Sequence, residues 1–244
     1  MRAVMKLCRL WLCCLLPATL AAEPAQQKKL QVLVGMHKPP YIIQHSNSGY
    51  ELDLIRLSAA AAGLKVRFVY VPNGRLLSEM KSGRFDLALL PETSAQAHHR
   101  TDALNCYHDV IVRASAQQAR AANWASLFSQ RVYAFQGASQ ILGANFVATV
   151  PKMREYQELA DQRAQVEALF KDRVDAIVLD QRIFHYYRRQ LKQDSGYQLT
   201  PILHRSCYVL ASSSESLAAT LSKQLTLLRQ SDTHQQLVRH YFAE

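Results

Sequence analysis

Asp180 is the side chain best placed for chemistry, because it is a carboxylate that closes an otherwise apolar run. The run is Asp172-Arg173-Val174-Asp175-Ala176-Ile177-Val178-Leu179-Asp180, and it nearly repeats Gly83-Arg84-Phe85-Asp86-Leu87-Ala88-Leu89-Leu90-Pro91. Both pass from Arg, an apolar residue and Asp into four apolar positions. Each follows a helix-like segment, so each reads as a strand buried on both faces of a parallel sheet. In open α/β sheets ligands sit beyond the carboxyl ends of the strands. The positions after Leu90 and Leu179 therefore mark the expected site. The plainer role for Asp180 is to cap the helix that begins at Gln181.

Other candidate groups narrow the chemistry. Gly137-Ala138-Ser139 lies between a strand and a helix, but its glycine spacing fits neither a phosphate loop nor a nucleophile elbow. Ser139 can serve there as an N-cap. His98-His99, His204, His234 and His240 lack metal-ligand spacing with cysteines or acids, so no metal and no cofactor is expected. Of five cysteines, three fall in the first 22 residues, leaving Cys106 and Cys207. These read either as one disulfide or as two buried thiols.

The first 22 residues read as an export signal. Arg2, Lys6 and Arg9 precede an apolar stretch over 10–16 and a small-residue exit at Ala21-Ala22. That stretch is too short for a permanent anchor, so a soluble periplasmic protein is expected. The formal charge is +10, from 29 basic and 19 acidic residues; removing the three basic residues of the leader leaves +7. Lys and Arg are scattered without a basic–aromatic motif, which argues against a nucleic-acid partner and for acidic surfaces or ligands.

The positioning elements follow in order. Strands are expected over 30–35, 66–71, 87–90, 107–113, 132–135, 176–180 and 207–211. Helices are expected over 50–62, 76–81, 123–129, 140–148, 164–170, 182–191, 215–229 and 233–241. The start is β-α-β-α-β, and the recurrence some ninety residues later predicts two α/β lobes rather than a solenoid.

In this order the chain resembles the periplasmic solute-binding proteins of family 3, polar amino-acid type. The resemblance is carried by Pro39-Pro40-Tyr41, Gly49-Tyr50-Glu51-Leu52-Asp53-Leu54, Ser82-Gly83-Arg84-Phe85-Asp86, the run ending at Asp180, and His240-Tyr241-Phe242. It implies a two-lobed type II periplasmic binding fold, each lobe a doubly wound, mostly parallel sheet, joined by two crossover hinge strands. The lobes are expected at 23–107 with 209–244, and at 108–208. By position, Asp180 would receive a ligand ammonium. The Gly137-Ala138-Ser139 turn would offer backbone N–H groups to a ligand carboxylate, and Thr93 a hydroxyl, with Tyr41 near the ligand. Three positions depart from the pattern. The carboxylate-clamping Arg falls at His98, with Arg100 two residues on, and an imidazole cannot copy a guanidinium fork. The two aromatic positions fall at Lys38 and Asn73. Cys106 and Cys207 fall near the crossovers, where a disulfide would tie the hinge.

The expected function is capture of a small polar solute, amino acid-like or related, by hinge closure of a monomer, without catalysis. Its partner would be a membrane permease of an ABC-type uptake system or a sensor. The alternatives are a periplasmic enzyme resembling cyclohexadienyl dehydratase, or a stand-alone sensory binding module.

Overall fold

The computed structural model describes residues 29–95, 98–114 and 123–242, the side chains at 203 and 204 excepted. The expected leader lies outside the described residues. The chain runs β1 (Leu30–Val34), α1 (Tyr50–Ala61), β2 (Val66–Tyr70), α2 (Leu76–Lys81), β3 (Leu87–Pro91), β4 (His99–Arg100) and β5 (Asn105–Ala114). It continues through β6 (Arg131–Phe135), α3 (Ala138–Ile141), α4 (Ala144–Val147), β7 (Glu155–Leu159), α5 (Gln162–Phe170), β8 (Ala176–Asp180) and α6 (Gln181–Gln190). It closes with β9 (Tyr197–Ser212), α7 (Glu215–Arg229) and α8 (Asp232–Phe242).

The architecture is the expected one: two α/β lobes, each built on a parallel trio of strands. In the first lobe β1 pairs in parallel with β2 and β3. In the second, β6 pairs in parallel with β7 and β8. The two long strands β5 and β9 pair antiparallel with each other and carry the chain between the trios, since β3 pairs with β9 and β8 with β5. The strand order β2-β1-β3-β9-β5-β8-β6-β7 is thus one hydrogen-bonded path, curled around a cleft. Cys106 and Cys207 face each other across the β5–β9 pair and are bonded.

The apolar runs explain the layers. Ala176-Ile177-Val178-Leu179 is fully buried, as a strand covered on both faces must be. One apolar cluster (Leu33, Leu76, Met80, Ala88, Leu90, Val209) belongs to the first lobe, and another (Ile111, Leu127, Val132, Phe146, Val178) to the second. A third runs from Val32 and Leu54 through Val110 to Ile177 and Phe184. Helix α7 buries Ala218, Leu221 and Leu225, one stripe at helical spacing.

Three expectations needed correction. β9 spans sixteen residues rather than 207–211, because Pro201 and the polar residues before it broke the apolar pattern. β7 (Glu-Tyr-Gln-Glu-Leu) was not expected at all; it is an edge strand, where polar residues are tolerated. The helix expected over 140–148 is split at Gly143, whose φ of 84° suits glycine and ends regular helix.

Candidate functional site

A cavity of about 260 Å³ lies between the lobes. Its walls come from the loop after β1 (Met36, His37, Lys38), from Pro72 and Asn73, from Phe135, Gln136 and Ile141, and from Ala160, Gln162 and Ile183. Its floor is the crossover pair, through Tyr107 and Asp109 of β5 and Ser206 and Tyr208 of β9, with Asp180 beside them. Alternate residues of a strand share a face, which is why 107 and 109, and 206 and 208, appear together.

Lys38 stands in this floor rather than the aromatic residue that the resemblance implies. Its ammonium donates to the Tyr107 hydroxyl and lies 4.3 and 4.8 Å from the ring centres of Tyr107 and Tyr208. Tyr107 in turn donates to Glu51, a fully buried carboxylate that also accepts from Asn105 Nδ2 (3.1 Å) and lies 3.8 Å from the Lys38 ammonium. Burial lowers the pKa of Lys38, against the attraction of Glu51, Asp180 and Asp109. Glu51 is seated by the turn into α1. Gly49 holds a φ of 128°, and a Cβ there would collide with the Tyr41 carbonyl.

Asp109 is the acid that the sequence reading passed over. It is buried, directly opposite Asp180 across the β5–β8 pair, and Ser206 Oγ donates to it at 3.1 Å. Burial, and then the neighbouring Asp180, push its pKa up to about 7. The β5–β9 register slips between His108 and Val110, at this residue; such irregularities commonly re-aim a side chain beside a site.

Asp180 borders the cavity, but its oxygens are already engaged. Oδ1 accepts from the backbone N–H of Arg182 (2.9 Å) and Ile183 (3.1 Å) and from the Tyr41 hydroxyl (2.8 Å), while Oδ2 accepts from the His108 N–H (2.9 Å). It caps α6 and ties the lobes together through Tyr41. Burial raises its pKa despite these donors.

The Gly137-Ala138-Ser139 turn likewise already holds a carboxylate, the chain's own. Glu158 accepts from Gly137 N–H (2.7 Å), Ser139 N–H (2.8 Å) and the Tyr156 hydroxyl (2.8 Å). Burial works to raise the pKa of Glu158, but these donors prevail and hold it below the usual value. A depressed carboxylate stabilises the fold above its unfolded pKa of about 4.3 and stops doing so as pH falls through the lower folded value. Glu158→Gln is therefore expected to cost about 1–2 kcal/mol at neutral pH, allowing for its partial exposure. In urea melts the deficit should shrink toward pH 3; an equal deficit at both pH values would refute this role.

Of the expected site residues, Lys38, Asn73 and Asp180 line the cavity, and Tyr41 is fully buried behind Asp180. Thr93, His98, Arg100, Gly137 and Ser139 do not line it. Thr93 sits in an exposed turn, and Arg100 on β4 donates to the Glu92 carbonyl at 3.4 Å. A carboxylate inside an apolar strand was the signal available for Asp109. Nothing local marked Glu158 as filling that turn, because the two backbone donors it takes there lie 19 and 21 residues away. Among the described residues no cluster of His, Cys, Asp and Glu could hold a metal, and no helix is long and apolar enough to cross a membrane.

Several solved structures share this architecture. An ancestral arginine-binding protein bound to arginine superposes with a TM-score of 0.72 at 17% identity, covering 88% of this chain and 98% of that one. The GluR0 ligand-binding core in complex with L-glutamate gives 0.72 at 16% identity, covering 89% and 100%. The ancestral amino acid-binding protein AncCDT-1, a precursor of cyclohexadienyl dehydratase, gives 0.68 at 16% identity, covering 88% and 95%. At such identities the likeness speaks for the fold. No curated protein matches the sequence. The model of one family, however, matches residues 30–244. The chain belongs to the bacterial extracellular solute-binding proteins, family 3.

Proposed function

We propose that this chain is an exported, periplasmic binding protein that closes its lobes over a small amine-bearing solute and delivers it to an ABC-type permease. The observation that carries this reading is a cleft walled by both lobes, with a buried acid, Asp109, on its floor. Closure would bring further groups from both lobes onto a bound solute, which is how a ligand stabilises a shut form. Solved structures of this fold hold arginine, L-glutamate or histidine, so a small polar ligand is in keeping with them.

The site chemistry favours an amine over a free amino acid. The backbone donors that would hold a ligand carboxylate are taken by Glu158, and neither His98 nor Arg100 lines the cleft. The Lys38 charge is already faced by Glu51, whereas among the described residues Asp109 accepts from one donor, Ser206 Oγ, on one oxygen, which leaves the other to accept. An ammonium on that oxygen would form a charge-assisted hydrogen bond in a sheltered site.

A thermal-shift screen of amines, amino acids and organic acids tests this, since ligand raises apparent stability by mass action. Amines are expected to raise Tm most. Asp109→Asn should weaken the best amine about 10- to 100-fold, the range for a hydrogen bond to a charged group. Because the ionised form of Asp109 receives the ammonium, affinity should hold above pH about 7 and fall below it, by up to about tenfold per unit. Stabilisation by organic acids alone would refute the ligand class. One observation favours an enzyme instead: a pKa of about 7 suits Asp109 to general acid–base work. Mass spectrometry of the bound amine after incubation separates the two, because a binding protein returns it unchanged.

A further inference from the structure

A second cavity, of about 370 Å³, shares no lining residue with the cleft. It lies between α6 of the second lobe and α8 of the first, with His108 of β5 in its wall. Tyr107 and Asp109 face the cleft and His108 faces this chamber, as strand alternation requires. The two cavities therefore stand on opposite faces of β5.

Among the described residues its lining is mainly basic and aromatic, with Gln181 and Val238 added and no acid. Arg182, His185 and Arg189 occupy positions i, i+3 and i+7 of α6, which place them along one face. The Arg182 guanidinium lies 3.8 Å from the centre of the Phe242 ring, so its plane is held by stacking rather than by an acid. Among the described residues neither Arg182 nor Arg189 takes part in an ion pair. Of the carboxylates beside the lining, Asp180 is buried and spends its oxygens on four protein donors, and Asp53, which accepts from the Tyr241 hydroxyl, is paired with Arg56. Like charges gathered on one helix face repel one another, and a concave wall concentrates their field. An anion would relieve that repulsion. Guanidinium forks suit tetrahedral oxyanions, and Val238 and Phe242 give the chamber an apolar side that suits a small organic substituent.

We propose that this chamber binds a phosphate monoester through Arg182 and Arg189, with its organic part against α8. Calorimetry of the intact protein with glycerol 3-phosphate at low ionic strength tests the assignment, with chloride at matched ionic strength as control. Saturable one-to-one binding, weakened about tenfold or more in both Arg182→Gln and Arg189→Gln, is the expected result. Co-sedimentation with phosphatidic acid vesicles but not phosphatidylcholine vesicles, lost in the same variants, would support the same chemistry with a lipid headgroup as its source. The assignment is overturned if neither format binds. It is also overturned if chloride competes equally, or if both variants bind as the parent does. Arg189 is exposed at the far end of α6, so its variant reports on the site even if Arg182→Gln disturbs packing.

Discussion

Reducing the Cys106–Cys207 disulfide is expected to lower the unfolding free energy by about 4–5 kcal/mol. The bond closes a loop with a sequence separation of 101, and the chain-entropy relation gives about 4.7 kcal/mol for a loop of about 100 residues. The fold stands to lose much of its margin, since single proteins of this size are stable by only about 5–15 kcal/mol. At about 2–4 °C per kcal/mol for a chain of this length, Tm should fall by roughly 10–20 °C. The bridged strands β5 and β9 are also the pair joining the two trios, so the loss should be felt by the whole fold rather than one lobe. Calorimetric scans with and without reductant measure the effect, and a Cys106→Ala/Cys207→Ala double variant should melt like the reduced protein. If thiol titration shows the bond opened and Tm stays put, the assigned role is wrong.

Asp180→Ala should cost about 3–4 kcal/mol of stability, before any ligand is considered. Loss of an N-cap accounts for about 1 kcal/mol. The Tyr41 hydroxyl then lies buried without an acceptor and the part-buried His108 N–H loses its own, at about 1–3 kcal/mol each with His108 at the low end. Removing a buried charge gives part of this back, which keeps the total below the simple sum. Because α6 drives Ile183 and Phe184 into the core, fraying of its first turn reaches the packing directly. Asp180→Asn keeps one acceptor oxygen and should lose less. Urea titration of both variants without ligand decides the matter. Wild-type stability with binding abolished would instead make Asp180 a ligand residue.

How much of this was legible follows from how far apart the partners lie. The buried strands could be read because four consecutive apolar residues are a local pattern, and α7 because its stripe repeats within one helix. Asp180 stood out for the same local reason. Its capping of α6 was legible for that reason too, but its ties to Tyr41 and His108 were not, because Tyr41 is 139 residues away and His108 is 72 away. The reading of Gly137-Ala138-Ser139 as an anion turn found donors of the right kind but could not see that Glu158, on a strand too polar to be expected, fills them. Asp109 was absorbed into a strand because Val110-Ile111-Val112 dominates its surroundings. Only the fold sets it opposite Asp180, where two acids side by side change what either can do.

Strand β5 is a party wall. One side carries the acid of the cleft; the other carries an imidazole of the basic chamber, whose own backbone N–H hangs on Asp180. Occupants of opposite charge would therefore sit back to back across a single thickness of peptide. Each would feel the other's field and any shift of the partition, and by thermodynamic reciprocity the influence on affinity must be equal in both directions.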